Sequence, residues 1–138
     1  MSDGILDYTD EVKDHFFNPR NFITEEELGS FSYDAVAEIG SPACGDVMKM
    51  WIKVDADTQK ITDVRWQTYG CASAIASTSI LSEMIVKDGG MEIEEALKIK
   101  PKDIIAQLGT LPQQKVHCSV LGDQVLRKAV NKYLEKKI

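Results

Sequence analysis

The sequence contains no apolar run that approaches the roughly 20 residues needed to span a membrane. Residues 1–12 lack the basic start and the apolar stretch of a signal peptide. Positive charge is also in short supply, because 16 basic side chains stand against 22 acidic ones, a net charge of −6. This balance argues against nucleic-acid binding. The absences together predict a cytoplasmic protein with neither a membrane nor a nucleic acid as partner.

Cysteine is scarce as well, with only Cys44, Cys71 and Cys118 in the chain. An odd number of cysteines cannot all pair in intramolecular disulfides, and cytoplasmic thiols normally stay reduced. The three residues are therefore interpreted as packed core side chains, metal ligands or reactive groups.

Chain length and composition predict one globular domain over residues 1–138, long enough for a hydrophobic core. Residues 1–30 are acidic and thinly apolar, so this segment is predicted to be flexible without a partner. His15, in the same segment, is interpreted as a surface or partly buried histidine without a ligand role.

The apolar pattern changes its period near Cys71. Before it, alternation predicts strands at 33–39, 47–54 and 61–69, with a hairpin connection at 55–60. Helices are predicted at 8–17, from Cys71 to a stop at Gly89-Gly90, at 92–98, at 102–108 after Pro101, and at about 119–136. The fold class is therefore α+β, a three-stranded antiparallel sheet followed by helices packed on one of its faces.

All three cysteines fall at predicted element boundaries. Cys44 precedes the second strand, Cys71 follows the third, and Cys118 opens the last helix. Helix N-termini favour negative charge and hence the thiolate, the form that binds metal and accepts sulfur. Boundary positions can converge at the rim of a sheet. The set therefore predicts a shared site rather than three small core residues.

Two further ligand types stand beside these cysteines. Asp46 lies two residues after Cys44, and His117 directly precedes Cys118. Three thiolates with one oxygen or nitrogen ligand suit tetrahedral zinc and also an iron–sulfur cluster. A fourth ligand other than thiolate should hold a cluster less tightly, as a carrier requires. A thiol hydrolase or acyltransferase using His117 and Cys118 is disfavoured, because adjacent residues rarely align as base and nucleophile.

Four stretches resemble the IscU/NifU-type iron–sulfur scaffold proteins: HFFNPRN at 15–21, GSPACGDVMKM at 40–50, TYGCASAIASTS at 68–79 and LPQQKVHCS at 111–119. They come in the family's order, and the resemblance extends from about Tyr8 to Tyr133. It implies that the three cysteines hold a cluster together with Asp46 or His117, the choice between these two remaining open. It also implies that Cys118 accepts persulfide sulfur.

The resemblance implies a scaffold of the stand-alone IscU form and not an enzyme. In that family a pyridoxal-phosphate cysteine desulfurase delivers sulfur, iron enters the same pocket, and a ferredoxin-type reductant supplies electrons. A [2Fe-2S] cluster forms and passes to apo iron–sulfur acceptor proteins, while isolated members often carry zinc. The alternative is the SufU-type branch of zinc-dependent sulfur acceptors. The compact 71–118 interval and the presence of His117 favour the scaffold branch.

Two positions depart from the family pattern. Ala72 replaces the glycine that usually follows the second cysteine. In the usual chaperone-recognition stretch Leu-Pro-Pro-Val-Lys, this chain keeps the partner-binding residues Leu111, Pro112 and Lys115 but has two glutamines between them. Proline rigidifies an extended recognition segment. The resemblance therefore leaves binding of a dedicated chaperone pair open.

Overall fold

The structure, a computed structural model, describes residues 9–41, 46–68, 72–109 and 116–137; of residues 41, 46, 72–73, 108, 116–121 and 136–137 it describes the backbone alone. The elements in chain order are α1 (Asp10–Phe17), α2 (Glu25–Leu28), β1 (Ala35–Ser41), β2 (Asp46–Asp55), β3 (Lys60–Thr68), α3 (Ala72–Val86), β4 (Met91–Glu92), α4 (Ile93–Ala96), α5 (Pro101–Leu108) and α6 (Val116–Lys137). No helix in these ranges is long and apolar enough to cross a membrane.

Within the described residues, the strands form an antiparallel sheet in the order β1-β2-β3-β4. Met48 of β2 lies between Ile39 of β1 and Thr68 of β3. The predicted α+β class and antiparallel pairing are confirmed. The predicted number of strands was one too few, because β4 pairs through only two residues with β3. Two residues are too short for alternation to be visible in the sequence.

The two long helices and one face of the sheet share a hydrophobic core. Alternate residues of β2, Met48, Met50 and Ile52, are fully buried in it together with Leu81 of α3 and Leu126 of α6. Burying a side chain of this size contributes about 1.5–3 kcal/mol. The helix α6 also lies across β1, where Lys128 Nζ donates to the carbonyl oxygen of Glu38 at 3.0 Å. It begins three residues earlier than the sequence pattern predicted.

The segment that follows α1 runs beside the C-terminal half of β3. As predicted, α1 ends before Pro19. The indole N–H of Trp66 donates to the Arg20 carbonyl at 2.8 Å, and Ile23 N–H donates to the Trp66 carbonyl at 3.1 Å. Phe22 forms a parallel bridge to Trp66 and stacks edge-on against its ring. These bonds occupy the side of β3 that β2 leaves open.

The turn between α3 and β4 depends on two glycines, as the sequence predicted. Gly89 and Gly90 have φ angles of 91° and 114°, which L-amino acids with side chains rarely adopt. A Cβ atom built on Gly90 would lie 2.5 Å from the carbonyl oxygen of Ile61. No atom lies within 4 Å of a Cβ built on Gly89. Gly90 therefore permits both the backbone conformation and the close approach to β3.

Candidate functional site

The predicted site residues belong to the ends of helices and strands. Outside the described residues lie Cys44, Cys71, Leu111, Pro112 and Lys115. Three others are described by their backbone alone: Asp46, which begins β2, and His117 and Cys118, which lie in the first turn of α6. The structure therefore places the elements that carry the site rather than the thiol groups themselves.

Three strand ends lie side by side at one edge of the sheet, which we call the ligand edge. It is formed by Ser41 at the end of β1, Asp46 at the start of β2 and Thr68 at the end of β3. Ser41 is paired with Asp46, and Thr68 is paired with Met48, so the three ends lie side by side. The helix α3 begins four residues after Thr68.

The helix α6 also starts at the ligand edge. Gly122, in its second turn, lies so close to α3 that a Cβ atom built on it would be 3.5 Å from Thr78 Oγ1. Thr78 in turn lies 3.3 Å from the sulfur of Met48, the residue paired with Thr68. At the other end of α6, Leu134 shares a groove of about 390 Å³ with Thr58 and Gln59 of the β2–β3 connection.

The two long helices therefore run in the same direction. The helix α3 leaves the ligand edge after Thr68, and the chain beyond it reaches Ile61, near the β2–β3 connection, through Gly90. The sheet between the two ends is about 30 Å long, as expected for a ten-residue strand such as β2. Both helix N-termini, with their unpaired N–H groups and positive dipole ends, lie toward the ligand edge.

A buried histidine joins α1 to α3, away from the predicted ligands. His15 is only 5% exposed, so its interpretation as a surface or partly buried residue was wrong. Its Nδ1 lies 2.7 Å from Ser79 Oγ, which also accepts the Arg20 N–H at 2.8 Å. Its Nε2 lies 3.7 Å from a carboxylate oxygen of Glu83. The burial follows from the i, i+3 spacing with Val12, which places both residues on the inner face of α1.

Burial lowers the pKa of His15 below its ordinary value, and the nearby Arg20 lowers it further, while Glu83 and Asp14 oppose the shift. The unfolded chain therefore binds a proton more readily, so stability is lost as the pH falls from about 6.5 toward the folded pKa. We expect the urea midpoint of the wild-type chain to decrease when the pH is lowered from 7.5 to 5.5. The urea midpoint of His15→Gln should decrease less.

The matched control for this measurement is His117→Gln, because His117 is the other histidine of the chain. This variant should show the same decrease of the urea midpoint at low pH as the wild-type chain, because it keeps His15. Equal pH dependence in the wild-type chain and His15→Gln would mean that His15 is not the titrating group.

Among the side chains that the structure describes, no group of three His, Cys, Asp or Glu residues is arranged to hold a metal ion. Asp123, an acidic residue in the second turn of α6, instead forms an ion pair that connects parts of the fold. Asp123 binds Arg127 at 3.2 Å, and Arg127 donates to the Ile99 carbonyl, so this pair links α6 to the segment before α5. The ligand edge remains the candidate site.

Comparison with known proteins gives three findings. The chain is 48% identical over 128 residues to the nitrogen fixation protein NifU of Nostoc sp., across 92% of this chain and 42% of that protein. It is 44% identical over 131 residues to the iron-sulfur cluster assembly scaffold protein IscU of Aquifex aeolicus, across 95% and 78% of the two chains. The crystal structure of a nitrogen-fixing NifU-like protein (N-terminal) from Brucella abortus has the same fold, with a TM-score of 0.71, 16% identity, and coverage of 93% and 94%.

The chain spans about two-fifths of the length of the Nostoc relative. A family model described as NifU-like N terminal domain matches residues 7–138, which is nearly the whole sequence. By this match and by its identity to IscU, the chain belongs to the NifU-like N-terminal domain family.

Proposed function

We propose that this protein is a scaffold on which an iron–sulfur cluster is assembled and from which it passes to acceptor proteins. The observation that carries the proposal is the ligand edge, where the starts of α3 and α6 meet three strand ends. Each of the three cysteines is attached to this edge within a few residues of sequence. The relatives named for iron–sulfur cluster assembly and nitrogen fixation support the same function.

In this proposal the iron–sulfur cluster, the cargo of the scaffold, is held by thiolates. Cys44, Cys71 and Cys118 are the three thiolate ligands, and either Asp46 or His117 is the fourth. Thiolates are soft ligands that suit iron–sulfur clusters and zinc. A carboxylate or imidazole in the fourth position leaves one weaker bond, from which transfer to an acceptor begins. Zinc fits the same ligand set and is the ion expected when iron and sulfide are absent.

Sulfur enters by thiol–persulfide exchange at Cys118. Its thiolate attacks the terminal sulfur of a persulfide on a cysteine desulfurase, and the donor cysteine leaves as a thiolate. Two such sulfur atoms require four electrons to become the two sulfides of a [2Fe-2S] cluster. Two ferrous ions supply two of these electrons on becoming ferric, and a ferredoxin-type reductant supplies the other two. The scaffold binds and positions these species, and it is not itself an enzyme.

The test is visible absorption during anaerobic incubation with a cysteine desulfurase, cysteine, ferrous iron and a reductant. Absorption bands should grow in, should require the desulfurase, and should move to an added apo-ferredoxin. A chain that remains colourless, keeps tightly bound zinc and accelerates the desulfurase would instead be a zinc-dependent sulfur acceptor. In that case the accelerated turnover should disappear when the zinc is removed.

A further inference from the structure

Three elements that contain or directly follow the cysteines in the sequence, β2, α3 and α6, meet at one buried contact. Thr78 of α3 is fully buried and lies seven residues after Cys71 in the sequence. Its Oγ1 lies 3.3 Å from the sulfur of Met48, four residues after Cys44. Gly122, which packs against it, follows Cys118 by four residues, about one helical turn.

The contact between α3 and α6 leaves little room for a side chain at position 122. A Cβ atom built on Gly122 would lie 3.2 Å from Leu81 Cδ2, 3.5 Å from Thr78 Oγ1 and 3.9 Å from the Cα of Thr78. A single methyl group would fit if Leu81 moved by a few tenths of an ångström. A larger side chain would meet the backbone of α3 and would have to push the two helices apart.

Thr78 cannot move away from such a side chain without disturbing β2. Its hydroxyl donates to the Ala74 carbonyl at 2.8 Å, a bond within α3 that fixes the side-chain rotamer. On its other side the oxygen contacts the Met48 sulfur, and Met48 is fully buried within the sheet. A displacement at position 122 is therefore transmitted to α6 itself, whose first turn lies one turn away and carries His117 and Cys118.

We propose that Gly122, seated against Thr78, is a positioning residue that sets the distance between the first turns of α3, which follows Cys71 in the sequence, and α6, which contains Cys118. The inference rests on the proposed function, because it assigns a role to this distance in holding the cargo. A helix interior otherwise disfavours glycine relative to alanine, so its presence inside α6 suits the close packing. The larger the side chain at position 122, the farther apart the first turns of the two helices.

The test compares Gly122→Leu with the double variant Leu81→Ala/Gly122→Leu, in which the shortened side chain makes room for the leucine. Two readouts report on the thiols. Cobalt(II) titration gives the affinity and the absorption bands of tetrahedral thiolate coordination. Dibromobimane becomes fluorescent when it bridges two nearby thiols, and mass spectrometry of the digest identifies the Cys71–Cys118 bridge without any metal.

Gly122→Leu should bind cobalt about tenfold more weakly, as is typical when support around metal ligands is altered. It should also form less of the Cys71–Cys118 bridge, and Leu81→Ala should restore part of both. Ile85→Val is the control, because it removes one methyl group from the same core near the end of α3, seven residues beyond Thr78. This control should leave both readouts unchanged.

A folded Gly122→Leu variant with wild-type cobalt affinity and wild-type bridging would overturn the proposal. Where this variant does not fold, Gly122→Ala is measured in the same way, and a smaller change in the same direction is expected; no change would overturn the proposal equally. A wild-type chain that bridges its thiols but builds no cluster contradicts the scaffold function alone. The two ideas can therefore fail separately.

Discussion

A Cys71→Ala variant should form no cluster that absorbs visible light, whereas Asp46→Ala should hold its cluster longer than the wild-type chain. Loss of a thiolate removes one of three strong ligands, and the remaining two cannot retain iron and sulfide against exchange with solvent thiols. Loss of the Asp46 carboxylate removes only a candidate for the weak fourth position. The measurement is absorption during anaerobic assembly, followed by the rate of transfer to apo-ferredoxin.

Cys44→Ala should behave like Cys71→Ala, because Cys44 is attached to the same ligand edge through β2. Far-ultraviolet circular dichroism should be unchanged in all three variants, so that lost colour reports on lost ligands. Ser77→Ala is a useful matched control. Ser77 is buried in α3, and its hydroxyl bonds only within that helix among the described contacts. A cluster that formed equally well without Cys44 and Cys71 would falsify the ligand assignment.

Gly90→Ala is expected to lower the free energy of unfolding by about 2–4 kcal/mol. The positive φ angle of 114° costs a residue with a side chain at least about 1 kcal/mol. The new Cβ would also lie 2.5 Å from the Ile61 carbonyl oxygen, and relief of such a contact in a packed region typically costs about 1–3 kcal/mol. Because the neighbour is backbone, β3 or the turn has to move. Urea unfolding measures the difference, and the melting temperature should fall by roughly 10 °C.

Gly89→Ala provides the matched control for this prediction. Gly89 has a similar φ angle of 91°, but no atom lies within 4 Å of the added Cβ. Only the conformational cost of about 1 kcal/mol should remain. Equal losses of unfolding free energy in the two variants would mean that the close approach of Gly90 to β3 does not affect stability.

The strands β1, β2 and β3 follow from the sequence because alternation is strong in these segments. Residues 47–54 and 61–69 were predicted as a hairpin, and β2 and β3 form it with a connection at the expected place. The Gly89-Gly90 stop and the start of α5 at Pro101 were also predicted correctly. In each case a local signal, the apolar period, a positive φ angle or the fixed φ of proline, determines the local structure.

Contacts between distant parts of the chain could not be predicted in this way. The contact of His15 with Ser79 joins residues 64 positions apart, and no local pattern marks that pair. The strand β4 exists because Gly90 brings Met91 to Ile61. The close contact between α3 and α6 joins Gly122 to Thr78, 44 residues apart. A lone glycine in a helical pattern indicates only lost helix propensity until its neighbours are known.

The packing of α6 over β1, where Lys128 bonds to Glu38, can form only after α6 has been translated. Cys118 is translated 47 residues after Cys71, a delay of roughly 2–9 s at about 5–20 residues per second. Until the ribosome has released α6, the part of the sheet that α6 covers stays exposed and the proposed ligand set is incomplete. A nascent chain can therefore expose two thiols to iron without being able to complete a cluster. If the chain is the scaffold proposed above, its cluster is loaded after translation.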